Sequence, residues 1–183
     1  MLSWLIHRRI TAFERSFNYD MSYARRILAA SRRAFFLFGR LRAFARYYEG
    51  VPVEVVCAAG LTATLTEDCG ACAQLGVTMA EREGVGPEIL RAIIARNIEA
   101  LPTDVALGLG FAEAVLRRDP AHELRDQIVA RWGDQGLVSL AFAITSGRTF
   151  PTLKYALGYG GACTRFAVAS VAMPVVKRAA PAS

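Results

Sequence analysis

Apolar residues recur three and four positions apart along most of this chain, and no Asn-Gly or Asp-Gly hairpin turn sits between alternating runs. The pattern predicts an all-α protein. Asp20 is placed to cap a helix from Met21 to about Tyr48, with Ala24, Leu28, Phe35, Phe38, Leu41 and Ala45 on one side. Arg26, Arg33 and Arg40, seven apart, form another side that reads as a solvated face. Gly50-Val51-Pro52 breaks the pattern, and Pro52 suits the first turn of a helix running to about Leu65. Thr66 or Asp68 then caps a helix that holds Cys69 in its first turn, continues through Met79 and ends at Gly84. Gly86-Pro87-Glu88 starts a short helix to about Ala95, and Thr103 caps one ending near Arg118. Asp119-Pro120 separates that from a helix over Ala121 to Trp132. Gly136 to Gly147 belongs to a further apolar helix, with a bend expected before Pro151. The stretch from Ala162 to Lys177 is apolar apart from Arg165 and is expected to pack on the core or on a neighbouring subunit.

Composition narrows this picture. In 183 residues, 54% are hydrophobic and 21% charged, which argues against disorder and for a core with buried interfaces. The length fits one helical domain, residues 51–183, behind a basic amphipathic helical arm, residues 1–50. A membrane span is not expected: charge-free stretches such as Val55 to Thr66 and Gly136 to Gly147 run twelve residues, against the roughly 18 a spanning helix needs. The opening Met-Leu-Ser-Trp-Leu-Ile-His-Arg-Arg shows no small-residue cleavage site, so a cytoplasmic protein is expected. Of the net charge of +6, the arm holds +7, from ten Arg against Glu14, Asp20 and Glu49. Such an arm suits an anionic membrane surface, an acidic face of a partner subunit or nucleic acid. Nucleic acid is the weakest of these, because the aromatic residues interleaved with the arginines fit a helix's buried face.

Four cysteines are too few for a disulfide scaffold, and Cys69 and Cys72 form a C-x-x-C. Two thiols three apart at a helix start lie on one side, where free backbone N–H groups and the helix dipole favour thiolate at the N-terminal one. The chemistry this permits is dithiol–disulfide exchange, or peroxide reduction through a sulfenic acid captured by the second thiol. A thioredoxin fold would need a strand before Cys-Gly-Ala-Cys, where the pattern is helical. A zinc site from Cys57, Cys69, Cys72 and Cys163 has the right ligand count but lacks a second C-x-x-C, so no metal is expected. His7 and His122, the only histidines, read as surface residues. Arg148-Thr149-Phe150-Pro151-Thr152-Leu153-Lys154-Tyr155 combines two cations, an aromatic and a bend. Tyr155 or Tyr159 is a candidate to reach a pocket from there, against helix-end capping and interface packing.

The run VEVVCAAGLTATLTEDCGACAQLGVTMAEREG, with the helix after Gly86-Pro87 and the later DVALGLGFAEAVLRRDP and ELRDQIVARWGDQGLVSLAFAI, resembles the alkylhydroperoxidase D-like (AhpD-like), carboxymuconolactone decarboxylase superfamily. The likeness covers about Val51 to Gly160 and leaves the basic helices as an addition. It implies an all-helical homo-oligomer, a trimer or hexamer, acting as an antioxidant peroxidase or disulfide oxidoreductase on a small hydroperoxide or disulfide. It implies no cofactor beyond the redox-active thiol pair and an external reductant of unknown identity. By position, Cys72 would be the attacking thiol and Cys69 the resolving partner. Peroxidase members carry a His four residues after the second Cys and a Glu twelve before the first, and those places here hold Gly76 and Cys57. Glu54, one turn before Cys57, and Glu67, beside the motif, are the candidates to supply a carboxylate in their stead. The alternative is a helical scaffold or passive redox sensor that has lost the proton relay. A decarboxylase assignment has no residue support, since no His or carboxylate pair is placed to handle a lactone.

Overall fold

The computed structural model describes residues 2–161 and 166–173, and its fold is all-α with one short hairpin. The helices are α1 (Leu2–Phe17), α2 (Ser22–Ala30), α3 (Arg32–Phe44), α4 (Val53–Thr66), α5 (Gly70–Arg82), α6 (Pro87–Ala95), α7 (Thr103–Arg117) and α8 (His122–Ala156), with a 3-10 turn at Ile98–Ala100. Among the described residues, no helix is long and apolar enough to cross a membrane.

Helix α4 is the centre of the molecule. It is apolar almost all round, and Val55, Ala58, Ala59, Leu61, Thr62 and Ala63 are buried against α5, α6, α7 and α8. Two glycines let its neighbours approach. A Cβ at Gly108 of α7 would fall 2.7 Å from a Val55 methyl, and one at Gly147 of α8 would fall 2.5 Å from the Gly60 carbonyl oxygen. Leu90, Ile93, Leu109, Ile128 and Leu140 close this core with essentially no exposure, each contributing about 1.5–3 kcal/mol.

The arm forms a second cluster of its own. Ile6, Ile10, Tyr19, Met21, Tyr23, Ala24 and Phe38 are buried there and pack against Leu75 of α5 and Phe150, Leu153 and Leu157 at the end of α8. Edge-to-face rings run from Tyr19 to Tyr23, Tyr23 to Phe38 and Phe38 to Phe150, at centroid distances of 6.4, 5.7 and 6.1 Å, and tie the arm to α8.

Several expectations change. The single helix from Met21 to Tyr48 is two helices, because Ser31 adopts an extended conformation and its side chain accepts from the Ala34 N–H, capping α3. Arg26, Arg33 and Arg40 are exposed as expected, but on two separate helices. Cys69 is the residue before α5, not a member of its first turn, and Asp68 ahead of it sits at φ 51°. The two helices expected on either side of Gly133 run on as α8, broken only where Gly133 takes φ 66°, ψ −174°, a backbone region open to glycine alone. Pro151 lies within that helix, which continues to Ala156.

The C-terminal stretch holds the only strands among the described residues. Phe166–Val168 (β1) pairs antiparallel with Val171–Met173 (β2) across Ala169-Ser170, both at positive φ as a two-residue hairpin turn requires. Packing on the core holds for this part, since Val168 is fully buried, and the Gln74 side chain bonds both the N–H and the C=O of Ala167. Ala162 to Arg165 and the residues after Met173, Pro174 and Lys177 included, lie outside the described residues.

Candidate functional site

The turn between α4 and α5 is fixed from α8 and from the residues just after it. Arg148 pairs with the Glu67 carboxylate at 2.7 Å, the Tyr155 hydroxyl donates to the Asp68 carbonyl at 2.9 Å, and the Gly70 N–H donates to the Gly161 carbonyl. This clamp presents Cys69 and Cys72, both free and both buried, with their sulfurs 2.7 Å apart. The preceding element is helix α4, which removes the thioredoxin arrangement.

The two thiols are electrostatically unequal. Cys69 is brought down to about 6, first by the hydrogen bond from the Cys72 thiol, with help from the Cys72 backbone N–H and the Lys154 charge, against the opposing effects of burial and Asp68. Cys72 moves up, because its proton serves the Cys69 sulfur and because burial and the neighbouring thiolate disfavour a second charge. The pair therefore gives up its first proton below the ordinary thiol range and resists losing the second, and Cys69 is the member favoured to carry the charge.

Behind Cys72 stands a group from the arm. The Tyr19 hydroxyl is 3.8 Å from the Cys72 sulfur, and Lys154 of α8 donates to that hydroxyl at 3.3 Å. The Lys154 ammonium also lies 4.7 Å from the Tyr19 ring centroid and 5.4 Å from that of Tyr23. Neither Tyr19 nor Lys154 follows from motif spacing, since one precedes the C-x-x-C by some fifty residues and the other follows it by about eighty. One signal was present. The chain has two lysines among 22 basic residues, so Lys154 stands out in a protein that otherwise uses Arg.

In front of Cys72 lies a cavity of about 610 Å³. Phe13, Phe17, Tyr19, Tyr23, Leu61 and Phe150 are among the residues of its wall, with Arg42, Arg46, Arg82 and Glu83 as its charged members. Cys72 lines it, whereas Cys69, 1% exposed, does not. Cys57 and Gly76 line it too, so the two small side chains at these positions enlarge it.

The remaining candidates are elsewhere. Glu67 is engaged by Arg148, and Glu54, in the first turn of α4, acts on Cys57. Burial, with Glu83 and Glu54, pushes Cys57 up to about 12, and it makes no hydrogen bond to the pair. Both histidines are exposed: His7 contacts Arg25, and His122 contacts Arg125. Tyr159 packs in the arm's cluster and is not part of the cavity wall. Among the described residues no group of three metal-ligating side chains forms, and Cys163 lies outside them. No family model, curated protein or solved structure matches the chain.

Proposed function

We propose that this chain is a thiol-dependent oxidoreductase of the alkylhydroperoxidase D-like type, reducing a small organic hydroperoxide, or exchanging with a disulfide, through Cys69 and Cys72. The observation that carries the proposal is the pair of free sulfurs 2.7 Å apart at the start of α5, one of them in the wall of a largely apolar cavity. An all-helical fold with the C-x-x-C opening a helix supports the family likeness.

In this scheme the substrate enters the cavity and meets Cys72. The Cys72 proton passes to Cys69, and the Cys72 thiolate attacks the terminal peroxide oxygen. The O–O bond breaks, the alkoxide takes the proton from Cys69 and leaves as an alcohol, and Cys72 becomes a sulfenic acid. The Cys69 thiolate then attacks the Cys72 sulfur, and hydroxide leaves and is protonated from solvent to water. Two electrons have moved from the thiols to the peroxide. An external dithiol returns them and resets the disulfide.

The test is oxidation of the reduced protein with one equivalent of cumene hydroperoxide, read by peptide mass spectrometry and by peroxide loss. A Cys69–Cys72 disulfide formed per peroxide consumed is expected. Cys72→Ser should abolish consumption, and Cys69→Ser should stop at a sulfenic acid that dimedone traps. Equal consumption in wild type and Cys72→Ser sinks the assignment. Unreactive thiols favour the scaffold or redox-sensor alternative, which the burial of both sulfurs recommends. Self-association belongs to the same proposal: Trp4, Leu5, Phe36 and Leu37 leave apolar surface exposed on the basic arm, and light scattering measures whether copies assemble through it.

A further inference from the structure

Lys154 is 3% exposed, and among the described residues no carboxylate lies within ion-pair distance of it. A buried ammonium without a counter-charge is costly, and two aromatic faces compensate only part of that cost. The groups that face it from each neighbouring element are few. The arm supplies Tyr19 and Tyr23, with Arg42 acting on Tyr23, and also Asp20, whose exposed carboxylate bonds the Ser22 N–H and hydroxyl. The turn before α5 supplies Asp68, α5 supplies the two thiols, and α8 supplies Tyr155, bonded to the Asp68 carbonyl. Of these, only the thiol pair is both buried and able to carry a negative charge near neutral pH.

We infer that Lys154 is the built-in counter-ion of the Cys69/Cys72 pair, a positioning residue that acts through the Tyr19 hydroxyl, and that the N-terminal arm is therefore part of the thiol site. The chain of contacts is Lys154 Nζ to Tyr19 Oη at 3.3 Å and Tyr19 Oη to Cys72 Sγ at 3.8 Å. This places a fixed cation within about 7 Å of the Cys72 sulfur, close enough in a partly desolvated setting to shift a thiol by about 1 to 2 pH units. No histidine reaches the thiols, so the lysine supplies charge in a site without imidazole.

A redox consequence follows. Reduction of the disulfide takes up two electrons and, above the midpoint of the first thiol, one proton, giving the monoanion that Lys154 stabilises. Oxidation removes the thiolate and strands the cation. The lysine thus favours the reduced form and makes the disulfide more oxidising. The inference builds on the thiol chemistry proposed above, but its tests do not require peroxide turnover.

Three measurements on the full chain decide it. In Lys154→Met, whose side chain keeps the aliphatic volume, thiolate absorbance at 240 nm should show the Cys69 midpoint raised by about 1 unit or more. The dithiol/disulfide equilibrium against glutathione should move about tenfold toward disulfide, about 30 mV for a two-electron couple. Tyr19→Phe keeps the lysine and removes the bridge, and should give a smaller shift in the same direction. Should Lys154→Met fail to fold, wild type answers alone: at pH 7.5 the reduced protein should unfold at a higher temperature than the oxidised, with the gap narrowing below pH 6. An unchanged midpoint and potential in Lys154→Met, or an oxidised protein more stable than the reduced at pH 7.5, overturns the inference. Shifts as expected without peroxide consumption leave Lys154 in its role and overturn the peroxidase proposal instead. Turnover with an unmoved midpoint does the reverse.

Discussion

The asymmetry of the two thiols is open to direct titration. Cys69 and Cys72 share a hydrogen bond across 2.7 Å, and this bond is the largest cause of a Cys69 midpoint near 6 where an ordinary thiol titrates near 9. At pH 7 a midpoint of 6 leaves about 90% of Cys69 as thiolate, against about 1% for a midpoint of 9. Alkylation rate is a poor readout of that difference. A thiolate loses nucleophilicity as its midpoint falls, by about 20-fold over three units, so the net rate gain is only about four- to fivefold. Absorbance at 240 nm counts thiolate directly and is the assay of choice, in a Cys163→Ser background so that a thiol outside the described residues adds nothing. Wild type should show one thiolate per chain appearing with a midpoint near 6 and no second step below pH 9, since Cys72 is raised and Cys57 is pushed to about 12. Cys72→Ala removes the shared bond and should move the Cys69 midpoint up by at least about 1 unit. Cys69→Ala should remove the low step entirely. Two thiols titrating together near 9, or a Cys72→Ala midpoint equal to wild type, refutes the argument.

Further outcomes are expected from the same geometry. Because Cys69 is depressed in the folded protein, its stabilising contribution is full above the unfolded midpoint and is lost as pH falls through about 6, so acidifying the reduced protein from pH 9 to 6 should cost wild type more stability than Cys69→Ser in urea titrations. Gly147→Ala drives a methyl into the Gly60 carbonyl and should lose about 1–3 kcal/mol, whereas Gly110→Ala, in α7 with open space around the new methyl, should gain about 0.5–1 kcal/mol. Gln74→Ala should expose the Ala167 amide to hydrogen exchange, because that side chain makes both of the bonds that fix β1 to α5. Gly76→His places an imidazole on the cavity wall beside an ordinary 3.6 Å contact with Leu61, and should raise peroxide consumption near pH 7 about tenfold or more; no gain in a folded variant counts against the family likeness.

Local signals placed α4 after Pro52, α6 after Gly86 and α7 near Thr103 to within a residue or two, although Thr103 is the first residue of α7 and Pro102 takes the cap position expected for it. Ser31 was hidden because a serine between two apolar helical stretches reads equally as an exposed mid-helix residue or as a cap. The hairpin was hidden because Ala169-Ser170 is not a typical turn pair, and β1 is held by a side chain some ninety residues away. The site divides in the same way. Two cysteines three apart announce themselves, whereas Tyr19 and Lys154 gain meaning only when an aromatic ladder folds the arm onto α8. Glu54 and Glu67 were reasonable candidates by proximity along the chain, and it is Arg148 and the orientation of α4 that engage them elsewhere.

The scarcity of lysine has a practical side. Lys154 is shielded by Tyr19, Tyr23 and the packed end of α8, and the only other lysine is Lys177. An amine-directed label applied to the folded protein therefore spares Lys154, leaving the thiol site chemically untouched. Any slow acylation of Lys154 times the moments when the arm lifts from α8, so one residue doubles as a clock for the opening of its own enclosure.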